Sequence, residues 1–240
     1  MKILGIETAT LRGGVALMSE EGLISEYRMG VEARHSERLL PAINDLLIQT
    51  RSSLSQISAI AVSAGPGSYT GLRVGLSVAK GLAMGANLPL VMVPTLEAHA
   101  AAFSPCQRLI APMLDARRSQ IYWALSEARL EGLTRVYPDT VSTLNEAIAI
   151  IRSFQRETLV TGDGYDRAVI SAALSASFPT RAAAFPSAAC VAEIGLSLFQ
   201  RGDTVAPEVA VPTYLRPFIP PSHPADPNPE IAVLGIAKPS

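Results

Sequence analysis

Two acids each close an apolar run in this chain: Glu7 follows Lys2-Ile3-Leu4-Gly5-Ile6, and Asp115 follows the run from Arg108 to Leu114. Paired carboxylates of this kind can hold magnesium and deprotonate an acceptor in phosphoryl transfer, provided that two turns grip the phosphates. Thr8, Thr10 and the glycine-dense loop Gly65-Pro66-Gly67-Ser68-Tyr69-Thr70-Gly71-Leu72-Arg73 are the candidate phosphate contacts. Gly65 and Gly67 can take positive φ, Pro66 stiffens the turn, and the free N–H groups of a following helix would face an anion. Glu7, Thr8, Gly65, Gly67 and Asp115 thus outline a candidate nucleotide cleft. The details argue against a working one. The turn after Glu7 reads Thr-Ala-Thr-Leu-Arg, without the glycine that would let amides close on a phosphate, and the turn after Asp115 carries Arg117 and Arg118. The loop has neither the dinucleotide nor the P-loop spacing. Glu7 and Asp115 therefore read as turn-capping carboxylates, and the cleft as a vestige.

Metal chemistry is disfavoured in the same way. Two imidazoles at i and i+4 on one helix face can share an ion, but the matching stretch here is Thr95-Leu96-Glu97-Ala98-His99, with threonine in the first position. The three histidines, His35, His99 and His223, form no such pair. His99 reads as an imidazole without a metal, and His35 as a contact at a helix entry. Cys106 and Cys190 lie far apart, in no ligand cluster, which suggests neither zinc nor a disulfide framework and fits a reducing cytoplasm. An acid at position 7 comes too early for a signal peptide, and no run approaches the roughly 20 apolar residues of a membrane span. With 240 residues, 48% hydrophobic and 17% charged, the chain can bury one large core or two smaller ones. A net charge of -1 offers no field to gather phosphates, so any RNA would be held largely by a partner.

The elements that must position these groups repeat in order. Lys2 to Ile6, Gly13 to Met18 and Leu23 to Arg28 predict a three-stranded meander. A helix follows, with Ser36 as N-cap and a stripe of Leu39, Leu40, Ile43, Leu46 and Leu47. Next come a strand over 57–62, the glycine loop, a helix over 70–86, a strand over 88–93 and a short helix through 96–99. The second half echoes this with strands over 108–114, 120–125 and 133–136, a helix over 144–154, and a strand and glycine turn over 159–164. A last helix spans 189–200. The β-β-β-α-β-α order, present twice, is the plan of the duplicated α/β fold of actin, sugar kinases and Hsp70 (the ASKHA superfamily), whose two units flank a nucleotide cleft; two unrelated α/β halves are the alternative. The expected organisation is an N-terminal unit over 1–103, a C-terminal unit over 104–216 with the 189–200 helix crossing back toward the first, and a mobile tail over 217–240. Seven prolines fall in that tail.

Five ordered motifs carry a resemblance to a known family. They are Gly5-Ile6-Glu7-Thr8-Ala9-Thr10, His35-Ser36-Glu37-Arg38-Leu39-Leu40-Pro41, the glycine loop with Leu72-Arg73-Val74-Gly75, Asp115-Ala116-Arg117-Arg118, and Pro212-Thr213-Tyr214-Leu215-Arg216. Over residues 1 to about 216 the chain resembles the TsaB (YeaZ) family of bacterial tRNA-modification proteins. Glu7 departs from the Asp that many members carry. The resemblance implies a noncatalytic partner of TsaD, the subunit that transfers threonylcarbamoyl to the adenosine beside the anticodon of ANN-reading tRNAs, in a complex that TsaE, an ATPase, also joins. It implies a heterodimer with TsaD, a homodimer when alone, tRNA contact only through the complex, and no membrane. No tightly bound cofactor is expected, and ATP or ADP at the partner interface is left open. An ATP-dependent small-molecule kinase and a metallopeptidase-like enzyme are the alternative readings.

The same resemblance implies that the helices from Ser36 and Thr70 pair with their counterparts on TsaD or on a second copy. Gly71, Gly75 and Ala79 make a smooth stripe on the second helix, beside Val74, Val78 and Leu82; Leu39, Ile43 and Leu47 are the apolar positions of the first. One face of each helix must also cover its own sheet.

Overall fold

The computed structural model describes residues 1–30, 35–129, 132–180 and 185–216. The tail over 217–240, with His223, lies outside the described residues, as does the side chain of His35.

Alternating buried residues build the first sheet from β1 (Lys2–Glu7), β2 (Gly14–Ser19), β3 (Gly22–Arg28), β4 (Ala59–Gly65) and β5 (Leu90–Pro94), in the order β3-β2-β1-β4-β5. β1 pairs antiparallel with β2 and parallel with β4. Leu4, Ile6, Val15, Leu17, Ile60 and Val62 point to one face, where α1 (His35–Gln49) and α2 (Tyr69–Ala86) cover them with Leu39, Ile43, Leu46, Leu76 and Ala79. That period of two is what a sheet covered on both faces requires, with each face taking alternate residues.

The opposite face carries Ile3, Ala16, Ala59, Ala61 and Val91, and it is covered by α6 (Ala188–Gln200) through Ala188, Val191 and Ala192. Close approach is possible because the contacting residues are small: a Cβ on Gly5 would lie 2.5 Å from the Ala188 carbonyl oxygen, and one on Gly195 only 2.3 Å from Ala61 Cβ. Glu26 on β3 accepts from the Ser187 hydroxyl (2.6 Å) and the Ala189 N–H (3.2 Å), which fixes where α6 begins. The last helix of the chain thus belongs to the core of its first sheet.

The second sheet has the same plan. β6 (Leu109–Asp115), β7 (Gln120–Arg129), β8 (Gly132–Thr143), β9 (Thr158–Gly162) and β10 (Ala176–Ser177) stand in the order β10-β9-β6-β7-β8, with β6 antiparallel to β7 and parallel to β9. Strand for strand this is the order of the first sheet, so the chain has the duplicated ASKHA-type α/β fold. α4 (Leu144–Ser153), opened by the Thr143–Glu146 capping box, and α5 (Arg167–Ala173), capped by Asp166, pack on Trp123, Leu125 and Val160. The short helix α3 (Thr95–Ala101) joins the two units: Ala98 is in the α6-side core, and Leu96 packs on Leu114 and Ala124 of the second sheet.

Several boundaries differ from the sequence expectation. The helix α1 already includes His35 and Ser36, so Ser36 is a first-turn residue and not the N-cap. β8 continues far beyond Val136 because pairing with β7 carries it through polar residues, and its edge position tolerates Pro138. β4 begins two residues later than predicted because a 3-10 turn occupies Leu54–Gln56. Among the described residues, no helix is long and apolar enough to cross a membrane.

Candidate functional site

β1 ends in a buried acid because the turn that follows has amides to satisfy. Glu7 Oε1 accepts from the N–H groups of Ala9 (2.7 Å) and Thr10 (3.2 Å), and the Ser63 hydroxyl on neighbouring β4 donates to Oε2. Burial pushes the Glu7 carboxyl up to about 7, against the hydrogen bonds from Ser63, Ala9 and Thr10 that favour its charged form. The acid therefore caps a turn of its own chain. Ser63 was absent from the sequence reading; its place on the strand parallel to β1 is a tertiary fact.

The glycine loop lies against that same turn. Gly65 has φ 117°, and a Cβ there would sit 2.2 Å from the Thr213 carbonyl oxygen. A Cβ on Gly67 would lie 2.5 Å from the Ala9 carbonyl oxygen, and one on Gly71 2.0 Å from that of Thr8. These glycines admit neighbouring backbone. Two of the amides at this helix start are engaged within the chain: the Ser68 N–H donates to Ala9 O (2.7 Å), and the Gly71 N–H donates to its N-cap, Ser68 Oγ (3.2 Å). Thr8 also turns away from the cleft, since it is fully buried and its hydroxyl donates to Gly71 O (2.8 Å). Of the cleft residues proposed from sequence, Glu7, Thr8, Gly65 and Gly67 are brought together, and each is set against backbone of the same chain: Glu7 on Ala9 and Thr10, Thr8 on Gly71, Gly65 on Thr213 and Gly67 on Ala9.

Asp115 repeats the role of Glu7 at the mirrored position. Its Oδ1 accepts from the Arg117 N–H (2.7 Å), its Oδ2 pairs with Arg117 Nη1 (3.2 Å), and its own N–H donates to Asp163 Oδ1 (3.0 Å). Unlike Glu7 it is exposed. Between the units lies a cleft of about 400 Å³ whose lining includes Thr10, Tyr69, Asp115, Tyr122, Tyr214 and Arg216. Sequence reasoning missed Asp163 and Tyr122 as lining. Only the glycine turn at 162–164 hinted at the first.

His99 and Thr95 are both buried in α3. Thr95 Oγ1 accepts from the Gly65 N–H (3.2 Å), and His99 Nε2 shares a hydrogen bond with Thr161 Oγ1 (3.1 Å) on β9. The two positions of the paired-histidine pattern thus serve the glycine loop and the contact between units. Among the described residues, no three His, Cys, Asp or Glu side chains gather at one point.

The helix faces require a correction. Leu39 and Ile43 (0% and 3% exposed) are core residues of the first sheet, and Gly71 and Gly75 face Thr8, so these four cannot offer an outward docking face. The reason is geometric: the smooth stripe on α2 is needed where it presses on β1's turn. Leu47, Val74, Val78 and Leu82 are half-buried against the same core. Beside them the exposed apolar residues of the layer are Leu40 (53%), Ile48 (66%) and Met84 (59%), of which the sequence reading had placed Leu40 in the apolar stripe of the first helix and not considered the others.

Comparison with known proteins agrees with this architecture. A family model described as TsaD, tRNA N6-adenosine threonylcarbamoyltransferase, matches residues 27–201. The tRNA threonylcarbamoyladenosine biosynthesis protein TsaB of Escherichia coli is 34% identical, over 90% of this chain and 95% of its own. That of Bacillus subtilis is 36% identical, over 68% of this chain and 71% of its own. Among solved structures, YeaZ from Pseudomonas aeruginosa superposes with a TM-score of 0.72 at 24% identity, over 89% of this chain and 99% of that one.

Proposed function

Because this chain belongs to the TsaB (YeaZ) family of tRNA threonylcarbamoyladenosine biosynthesis proteins, we propose that it is the noncatalytic, activating subunit of the complex that transfers threonylcarbamoyl to the adenosine beside the anticodon of ANN-reading tRNAs. In this reading a TsaD homologue is the catalytic subunit and forms the heterodimer, a TsaE-type ATPase joins them, and the free chain pairs with a second copy in the cytoplasm.

One observation carries the noncatalytic assignment: Gly67 and Gly71 press on the carbonyls of Ala9 and Thr8, so the loop that would cradle a phosphate is closed on its own β1 turn. Catalysis of phosphoryl transfer asks for donors aimed at the transferred group, and here the Ser68 and Gly71 amides are spent within the chain. The near-neutral charge supports tRNA contact through the complex. The half-buried Val74, Val78 and Leu82, with exposed Leu40, Ile48 and Met84, supply an apolar helix layer for a partner. A scaffold of this kind acts by stabilising a partner's competent conformation. No tightly bound cofactor is part of the reading, and equilibrium dialysis of the chain with and without the TsaD homologue decides whether ATP or ADP sits at the interface.

The test is reconstitution by omission, with this chain, the TsaD homologue, the TsaE-type ATPase, threonylcarbamoyl-adenylate, ATP and tRNA. Modification is expected to be lost when this chain is left out, and the chain alone is expected to release no ADP. Full modification without it, or phosphotransfer or hydrolysis by the chain alone, would falsify the assignment.

A further inference from the structure

The motif Pro212-Thr213-Tyr214-Leu215-Arg216 has no part in the function proposed above, yet its residues touch both units. The chain leaves α6 and pairs Val205 with Leu90 on β5 (N–H to O distances of 2.8 and 3.0 Å), and Ala210 enters the first core. Thr213 then donates its N–H to Ala64 O at the end of β4 (2.7 Å), where Gly65 makes room for its carbonyl. Tyr214 lies 5.0 Å from the Tyr69 ring and its hydroxyl accepts from Arg73 Nε (3.2 Å), while the Arg73 guanidinium stacks 4.0 Å above Tyr69. Two residues later Arg216 Nη1 reaches the second unit and donates to Ala116 O (2.8 Å) and Arg117 O (3.4 Å).

Those two carbonyls belong to a turn that needs holding. Arg117, Arg118 and Ser119 have φ of 63°, 54° and 58°, three successive side-chain-bearing residues in the left-handed region. Such a turn persists where its surroundings over-determine it. Although the expected division placed it in the second unit, the segment that carries Arg216 packs on the first sheet, and from there Arg216 places a cation on those carbonyls.

We infer that residues 211–216 are a clamp that sets the relative position of the two units across the cleft, with Thr213 and Tyr214 as its anchor on the first and Arg216 as its hook on the second. The two sides of the joint differ in kind. At α3 the units meet through buried apolar packing of Leu96 on Leu114 and Ala124. At the clamp they meet through part-exposed hydrogen bonds to backbone carbonyls, which exchange with water far more readily. The α3 side acts as the hinge, and the clamp as the reversible closure. The inference concerns this chain alone and stands or falls independently of any partner.

The experiment places spin labels on exposed helix positions of the two units, Ser77→Cys on α2 and Asn145→Cys on α4, in a Cys106→Ser, Cys190→Ser background, and measures their distance distribution in the full chain. Arg216→Ala is expected to shift or broaden that distribution by several Å and to speed amide exchange at Gln120 and Thr213 by about tenfold or more. Arg216→Lys, which keeps the charge and loses the planar fork, should fall between it and the parent. Arg216→Gln is read in the same way if the alanine variant does not fold. A distance distribution identical to the parent's in the folded Arg216→Ala or Arg216→Gln chain overturns the clamp, whatever happens to exchange.

Discussion

The hydroxyl of Thr8 donates to the carbonyl oxygen of Gly71 at 2.8 Å, joining the turn after the first strand to the first turn of α2 across 63 positions of sequence. One turn further along the helix, Gly75 faces the same side chain, and a Cβ there would sit 2.1 Å from Thr8 Oγ1. The glycine spacing of α2 is thus the imprint of Thr8.

Gly75→Ala is accordingly expected to lower stability by about 1–3 kcal/mol, the usual cost of overpacking a close contact. Thr8 is buried and short, so it has no room to step aside. In Thr8→Ala the obstructing hydroxyl is gone, and the double variant should lose less than the sum of the two single losses. Urea unfolding of the four chains checks this; strict additivity means that the contact does not limit position 75.

Glu7 predicts a pH dependence with a definite sign. Burial raises its carboxyl from 4.5 to about 7, so the folded chain keeps a proton that the unfolded chain releases. Its contribution to stability is fully present below pH 4.5, declines as pH rises through about 7, and is constant above that. Glu7→Gln retains an oxygen for the Ala9 and Thr10 amides and does not titrate. The variant should therefore gain on the parent by up to roughly 3 kcal/mol between pH 4.5 and 8. Denaturant midpoints across that range measure it, and a difference that shrinks with rising pH contradicts the burial account.

The corrected helix faces separate folding from association. Ile43→Asp puts a carboxylate into the first core and should prevent folding. Leu40→Asp and Met84→Asp lie on exposed positions and should leave the melting temperature within a few degrees. If the proposed partner docks on this layer, either exposed variant should weaken binding to a TsaD homologue by about a hundredfold or more, as burying an unpaired charge does. Unchanged affinity in calorimetric titration places the interface elsewhere.

Purified chain should carry no stoichiometric zinc or iron. Thr95 Oγ1 is engaged by the Gly65 amide and His99 Nε2 by Thr161, so the two positions are occupied by contacts within the fold. Elemental analysis giving about one metal per chain, lost in His99→Ala, contradicts this.

Local chemistry was legible in the sequence wherever period, caps and turns state it. The apolar runs of Lys2–Glu7 and Ala59–Gly65, the helix over 70–86 and the twofold element order predicted the two sheets, because a strand covered on both faces must be apolar nearly throughout. The acids that end β1 and β6 could be read as turn caps because their acceptors serve amides two or three residues away. The stripes of α1 and α2 show where this reading stops. Leu39, Ile43, Gly71 and Gly75 share a spacing with true surface positions, and a periodic pattern names a face without saying what lies against it. That Thr8 fills the groove on α2, that Ser63 meets Glu7, that Thr161 meets His99 and that Arg216 reaches Ala116 are contacts between residues remote in sequence. The sequence by itself determined most of the elements, their twofold order and the family, but not the short helix Arg167–Ala173 or the strand Ala176–Ser177; which surfaces are spent inside the molecule was decided only by tertiary structure, because burial depends on how whole sheets and helices meet.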